Sequence, residues 1–209
     1  MTKVKICGIN TIESRDAAIS AGADFLGFVF HPSSPRHLSV ENAAALTAHN
    51  NSDVSNVGLF VNPTPEQVLE HTASTRLDLI QLHGEEDIAL ISEIIERTKL
   101  PVMKAIRVES IEDLALTKEY ESLCSWLLLD AKSDKALGGT GEQFDWSLLE
   151  NFSPSLPWML AGGLDISNID QAIQLKPSAV DVSSGIEDEP GKKNAQKIKE
   201  FVAAVHQRA

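Results

Sequence analysis

The sequence alternates throughout between short apolar runs and segments with the spacing of amphipathic helices. The apolar runs are Val4–Ile6, Phe25–Phe30, Val57–Val61, Leu77–Leu82, Val102–Ile106, Trp126–Leu129, Trp158–Leu160 and Ala179–Val182. Helices are predicted near residues 11–20, 40–48, 64–73, 85–97, 111–120, 145–150, 165–174 and 192–207. Because the runs are continuously apolar, they are typical of parallel strands covered on both faces.

About eight strand–helix units in 209 residues leave few possible architectures. They predict an α/β protein folded as a closed (β/α)8 TIM barrel with parallel strands, and an open doubly wound sheet is the alternative. No interdomain linker is visible, so residues 1–209 are predicted to form a single domain.

Charge and composition narrow the range of partners. The formal net charge of −12 argues against nucleic acid as a partner, because a phosphate backbone needs a basic face. No apolar run approaches the roughly 18–20 residues of a membrane helix, and no secretory segment follows Met1. We therefore expect no membrane partner and a cytoplasmic location, where Cys7 and Cys124 would be free thiols.

Two groups at predicted strand ends suggest acid–base chemistry. Cys7 follows the first strand and could act as a general base if nearby cations lowered the thiol pKa; it could also be a small buried hydrophobe. The orientation of its neighbours Lys3 and Lys5 is left open. Asp130 ends the sixth strand and could be a general acid, or could cap a turn or pair with Lys132.

Two late loops predict an anion site. Gly162 and Gly163 follow the seventh strand, and Ser183 and Ser184 follow the eighth, just before Gly185. Glycines let backbone N–H groups approach an anion closely, and serine hydroxyls add donors. A phosphate site in these two loops recurs in (β/α)8 barrels.

Other polar residues near the predicted mouth leave alternatives open. Arg36, in a Pro-rich turn, could grip a carboxylate or be solvated. Gln81 and His83 would face one side together, lining a cavity or forming a structural pair. Asp181 could support a site or merely face its neighbours, and Glu187–Glu189 is predicted to be a solvated turn.

The remaining predictions concern a lid and cofactors. The polar loop Ala131–Gln143 could be a mobile lid. Cys124 precedes a strand, at the opposite end of the barrel, and is given no function. No metal-ligand grouping and no Gly-x-Gly-x-x-Gly after a strand is found, so neither a metal nor a dinucleotide cofactor is predicted.

Short motifs, in order along nearly the whole chain, resemble the phosphoribosylanthranilate isomerase family. They are Lys5-Ile-Cys-Gly8, Gly27-Phe-Val-Phe30, Ser34-Pro-Arg36, Gly58, Phe60-Val-Asn62, Gln81-Leu-His-Gly84, Leu129-Asp130, Gly138-Gly-Thr-Gly141, Phe144-Asp-Trp146, Ala161-Gly-Gly-Leu164 and Asp181-Val-Ser-Ser-Gly185.

The resemblance implies a (β/α)8 barrel that acts in tryptophan biosynthesis without a cofactor. Its substrate would be N-(5-phospho-β-D-ribosyl)anthranilate, and an Amadori rearrangement would give 1-(2-carboxyphenylamino)-1-deoxy-D-ribulose 5-phosphate. Asp130 would protonate the ring oxygen, and Cys7 would take the C2 proton. Arg36 would hold the anthranilate carboxylate, and Asp181 would lie near the amino group. The phosphate would be held by Gly162, Gly163, Ser183 and Ser184.

Two other functions remain as alternatives. A ribulose-phosphate epimerase would need paired aspartates with metal-binding histidines at strand ends, and that set is not found. A non-catalytic phosphate-binding barrel would keep the glycine loops without needing both Cys7 and Asp130. The expected partner is a phosphorylated, carboxylated small molecule, and the chain is expected to be a monomer or a homodimer.

Overall fold

A computed structural model of the chain describes residues 1–48, 53–131 and 145–208. Eight parallel strands follow one another around a closed barrel, and β1 pairs with β8 to complete it. The strands are β1 Lys3–Cys7, β2 Phe25–Val29, β3 Ser55–Phe60, β4 Leu79–Leu82, β5 Val102–Val108, β6 Trp126–Ala131, β7 Trp158–Leu160 and β8 Ala179–Val182. The predicted TIM barrel is confirmed, and the open sheet is wrong.

Helices follow most strands and pack on the outside of the barrel. They are α1 Ile12–Ala21, α2 Val40–Thr47, α3 Pro65–Ser74, α4 Ile88–Thr98, α5 Ile111–Ala115, α6 Thr117–Tyr120, α7 Ile169–Gln174 and α8 Ala195–Arg208. A 3-10 helix, Trp146–Leu149, stands where a helix over 145–150 was predicted. A small antiparallel hairpin, β9 Glu187–Glu189 with β10 Lys192–Lys193, was not predicted.

Local sequence explains where several helices begin and end. Before α3, the Thr64 side chain accepts a hydrogen bond from the backbone N–H of Gln67, whose side chain accepts one from Thr64 in return. Pro65 then occupies the first turn, where a backbone N–H would have no acceptor within the helix, so its absence costs no hydrogen bond. Helix α1 ends at Gly22, whose φ of 90° is the left-handed conformation that glycine adopts without strain.

Side chains alternate between the two faces of each strand. On β1, Val4 and Ile6 point outward into the apolar layer beneath the helices. Lys5 and Cys7 alternate with them and therefore point inward, which settles the orientation that the sequence left open. The floor of the interior is apolar, and it is formed by Phe25, Val57, Leu79, Met103, Ala105, Leu128, Met159, Ala161 and Ala179. Polar groups are therefore concentrated toward the carboxyl ends of the strands.

The predictions about a membrane helix and about a lid can be compared with the described residues only. Among the helices in the described ranges, none is both long enough and apolar enough to cross a membrane. The loop proposed as a lid lies outside the described residues from 132 onward, since only its first residue, Ala131, belongs to β6.

Candidate active site

A cavity opens at the carboxyl ends of the strands. It contains about 470 Å³ of space between the side chains, part of it open to solvent. Its wall is lined by six of the predicted site residues: Cys7, Arg36, His83, Asp130, Asp181 and Ser183. Val29, His31, Ser34, Leu59 and Val61 complete the lining. Residues from five strands and from the segments after β2, β3, β4 and β8 thus converge on one cavity.

Lys5 and Asp181 form an ion pair directly beneath the cavity. The two residues are register partners on β1 and β8, and Lys5 Nζ donates a hydrogen bond of 3.0 Å to Asp181 Oδ1. Lys5 is completely buried, whereas Asp181 reaches the cavity wall. Burial lowers the pKa of Lys5, but Asp181 and Cys7 raise it, and the net shift is upward. Lys5 therefore stays a cation inside the barrel.

The Cys7 thiol lies against this pair. Burial raises its pKa, and Asp181 raises it further, while Lys5 and Lys193 lower it; the net shift is upward from 9.0. The nearby cations therefore do not lower the thiol pKa overall, because the loss of hydration outweighs them. At neutral pH the resting thiol is protonated.

Gly27 on β2 provides the space that Cys7 and Lys5 occupy. A Cβ at this position would lie 3.0 Å from Cys7 Sγ and 3.2 Å from Lys5 Nζ. Any side chain there would displace the thiol or the ammonium group, so this glycine is needed for the arrangement.

Asp130 ends a row of polar side chains that begins with Gln81. Gln81 Nε2 lies 2.9 Å from His83 Nδ1, and His83 Nε2 lies 3.1 Å from Asp130 Oδ2, although the latter contact lacks hydrogen-bond alignment. Asp130 Oδ1 accepts a hydrogen bond from the Ala131 N–H. Both interpretations of Gln81 and His83 hold in part: His83 lines the cavity, and Gln81 supports it from the buried side.

Arg36 lies in the loop after β2 and is bound by a residue that sequence reasoning set aside. Arg36 Nε donates to Glu187 Oε1 at 2.8 Å, and Nη2 donates to Oε2 at 2.7 Å. Lys193 Nζ also donates to Glu187 Oε1, at 2.7 Å. The prediction of a solvated turn at 187–189 is therefore wrong for Glu187, whose side chain is 4% exposed. The separation of 151 residues from Arg36 hid this contact from the sequence.

The glycine loops after β7 and β8 pack on each other and on Asp130. Gly162 and Gly163 have φ values of 84° and 66°, in the left-handed region that favours glycine. A Cβ on Gly162 would lie 3.1 Å from Asp130 Oδ1, and one on Gly185 would collide with the Leu164 carbonyl oxygen. The two loops predicted to hold an anion are therefore adjacent, close to the carboxylate.

The two serines of the second loop differ. Ser183 Oγ donates to the Cys7 carbonyl oxygen at 3.1 Å, and Lys193 Nζ donates to the Ser183 carbonyl oxygen at 3.0 Å. Ser184 begins a 3-10 helix, Ser184–Ile186. Lys193, missed by sequence reasoning because it follows the last barrel strand by eleven residues, adds a buried cation near this loop.

The described residues also bear on the predictions about a metal site and about the second cysteine, Cys124. Within the described ranges, no three His, Cys, Asp or Glu side chains are grouped as metal ligands. Cys124 is buried away from the cavity lining, and burial raises its pKa to about 11.

Comparisons with known proteins agree with this geometry. Residues 4–204 match the family model of N-(5'phosphoribosyl)anthranilate (PRA) isomerase. A protein of Azorhizobium caulinodans named N-(5'-phosphoribosyl)anthranilate isomerase is 44% identical over 207 residues, covering 97% of this chain and 91% of the relative.

Solved structures give the same result. Phosphoribosyl anthranilate isomerase from Thermotoga maritima superposes with a TM-score of 0.91 at 39% identity, covering 99% of this chain and 100% of the other. A phosphoribosyl anthranilate isomerase in complex with reduced 1-(o-carboxyphenylamino)-1-deoxyribulose 5-phosphate has a TM-score of 0.85 at 38% identity, with 99% and 100% coverage. The matched family model, the identity over nearly the full length and the shared barrel together show that this chain belongs to the N-(5'-phosphoribosyl)anthranilate isomerase family.

Proposed function

We propose that this chain converts N-(5-phospho-β-D-ribosyl)anthranilate to 1-(2-carboxyphenylamino)-1-deoxy-D-ribulose 5-phosphate, with Asp130 as general acid and Cys7 as general base. The isomerisation itself is the activity of the family to which the chain belongs. The observation that carries the two roles is that both side chains line one cavity, at the ends of β1 and β6.

The first step is ring opening. As general acid, Asp130 gives a proton to the furanose ring oxygen as the C1–O bond breaks, and the electron pair of the amino nitrogen forms the C1=N bond of a protonated Schiff base. Asp130 lies in a wall with few water contacts, since its side chain is 9% exposed. The Ala131 N–H donates to its Oδ1, and His83 Nε2 lies 3.1 Å from its Oδ2.

The second step is proton abstraction from C2. The Cys7 thiolate takes the proton, the C–H electrons form a C1=C2 bond, and the C1=N electrons return to nitrogen to give an enolamine. Tautomerisation then gives the ketone. Because burial raises the Cys7 pKa, the thiolate is the minor form at neutral pH, and Lys5 is the nearby cation that makes it accessible.

Substrate binding uses the cavity and the two glycine loops after β7 and β8. Arg36 binds the anthranilate carboxylate, and Gly162, Gly163, Ser183 and Ser184 bind the phosphate through backbone N–H groups, with the Ser184 hydroxyl as a further donor. Asp181 lies near the amino nitrogen, His83 lines the space between, and Gln81 supports His83 from the buried side. The partner is thus a small phosphorylated carboxylate. The absence of a cofactor or metal, the single 1–209 domain, the cytoplasmic location and the monomeric or homodimeric state stay predictions.

Two alanine variants test these roles. Cys7→Ala and Asp130→Ala should each lower kcat by about 10²–10⁴, the usual contribution of a general acid or base. Turnover is followed by the loss of anthranilate fluorescence. Cys124→Ala is the matched control, because it removes the other buried thiol outside the cavity, and it should keep kcat. Near-normal kcat in both cavity variants would refute the assignment.

A further inference from the structure

The loop arginine assigned to the substrate carboxylate is already bound on one edge. Glu187 occupies Arg36 Nε and Nη2 with two hydrogen bonds of 2.8 and 2.7 Å. A guanidinium group has five N–H donors, so three remain: two on Nη1 and one on Nη2. Among the described residues these three meet no acceptor, and Arg36 lines the cavity. The free edge has the fork geometry that accepts a second carboxylate.

Glu187 is itself held rigidly from two other directions. Lys193 Nζ donates to Oε1 at 2.7 Å, and the Gly191 N–H donates to Oε2 at 3.2 Å. Each carboxylate oxygen therefore has two donors, and its orientation is fixed from both sides. Burial would raise the pKa of Glu187, but Arg36 and Lys193 lower it and dominate, so the group is ionised at neutral pH.

The hairpin that carries Glu187 is anchored to the loops of the first two strands. Asn10 Nδ2 donates to the Gly191 carbonyl oxygen at 2.7 Å. Gly191 has a φ of 82°, and a Cβ there would lie 2.5 Å from the Pro35 carbonyl oxygen, so the hairpin turn packs directly beside Arg36.

We propose that Glu187 is a positioning residue that sets the enzyme's preference for a carboxylated substrate. It holds Arg36 by one edge, so that the opposite edge meets the carboxylate of the substrate, and Lys193 holds Glu187. This inference rests on the proposed role of Arg36. It goes beyond that role because it makes recognition depend on a residue of the hairpin that does not itself touch the substrate.

Two ligands isolate the effect. One is reduced 1-(o-carboxyphenylamino)-1-deoxyribulose 5-phosphate, and the other is the same compound without its ring carboxyl group. The preference for the carboxylate is the Kd of the carboxyl-free compound divided by the Kd of the carboxylated compound, both measured by calorimetry. Glu187→Gln should lower this ratio by about 10-fold, as expected for a displaced charge-assisted pair, while the Kd of the carboxyl-free compound stays the same. An unchanged or larger ratio would overturn the inference.

Matched variants separate this inference from the proposed function. Glu189→Gln changes an exposed carboxylate on the same strand and should leave the ratio unchanged. Arg36→Met should abolish the preference; if it does so while Glu187→Gln does not, only the inference fails. If Arg36→Met keeps the preference, the role of Arg36 fails, and the inference with it. Should Glu187→Gln fold poorly, Glu187→Asp, too short to reach both nitrogens, should lower the ratio in the same direction.

Discussion

Two of the buried lysine–carboxylate pairs among the described residues, Lys104–Glu86 and Lys5–Asp181, are built differently. Lys104 Nζ donates to Glu86 Oε2 at 2.9 Å and to the carbonyl oxygen of Gly84 at 2.6 Å. The other oxygen, Glu86 Oε1, accepts the N–H groups of Asn62 and Gly84. Both charges of this pair are hydrogen-bonded within the protein, and the Lys104 and Glu86 side chains are 3% and 0% exposed. In contrast, Lys5 binds one oxygen of Asp181, and that aspartate reaches the cavity.

The difference is in what each pair leaves for other groups. Lys104 points outward from β5 and, together with Glu86, connects the loops after β3 and β4. The hydrogen-bonding groups of this pair are therefore occupied by the backbone and by each other. Lys5 points inward and also acts on the thiol of Cys7. The Lys104–Glu86 pair therefore serves the fold, whereas the Lys5–Asp181 pair also acts on Cys7 in the cavity wall.

Breaking the Lys104–Glu86 pair should give the largest effect, a loss of stability. Lys104→Met leaves the Glu86 carboxylate buried without its cation, and the free energy of unfolding should fall by about 3–5 kcal/mol. The measurement is urea denaturation, with the exposed Lys199→Met as control. For the folded protein, kcat should stay normal, and a large loss of kcat would contradict the contrast drawn between the two pairs.

Breaking the Lys5–Asp181 pair should lower kcat. Lys5→Met removes the main cation that lowers the Cys7 pKa and leaves Asp181, which raises it. We expect kcat to fall by about 100-fold near neutral pH, which corresponds to about 2.7 kcal/mol. The rise of kcat with pH should also move to higher pH, because the thiolate forms later. Its stability loss should be smaller than that of Lys104→Met, since cavity water can solvate Asp181.

A pair of glycine substitutions compares the same two regions. Gly27→Ala puts a methyl group 3.0 Å from Cys7 Sγ, whereas Gly84→Ala puts one 2.8 Å from the Asn62 nitrogen that donates to Glu86. Each overpacked variant should lose about 1–3 kcal/mol of stability. Only Gly27→Ala should also lower kcat, because it displaces the thiol. Equal kcat values in the two variants would show that the space beside Cys7 is not required.

The pH dependence of stability should show the smallest effect. Arg36 and Lys193 lower the folded-state pKa of Glu187, so its stabilising contribution is complete above the ordinary glutamate pKa and is lost as the pH falls through the lower, folded value. The melting temperature of Glu187→Gln should therefore depend less steeply on pH below about 4.3 than that of the wild type. Parallel curves for both proteins would contradict the ionised, paired state of Glu187.

The sequence predicted most of the barrel because its signals are local. Apolar runs mark strands such as Trp126–Ala131, and Thr64 and Pro65 mark the start of α3. Short-range signals failed where structure depends on partners distant in sequence. The hairpin at Glu187–Lys193 has no apolar pattern, and its carboxylate is buried only because Arg36 and Lys193 surround it.

The sequence by itself determined the order of strands, the position of Cys7 and Asp130 at strand ends, and the glycines that let late loops approach each other. It did so because period-two alternation and backbone preferences act over a few residues. Only the tertiary structure decided that Lys5 faces the thiol, that Glu187 holds Arg36, and that burial raises the Cys7 pKa. Those outcomes depend on distances and loss of hydration between groups that meet only when the barrel closes.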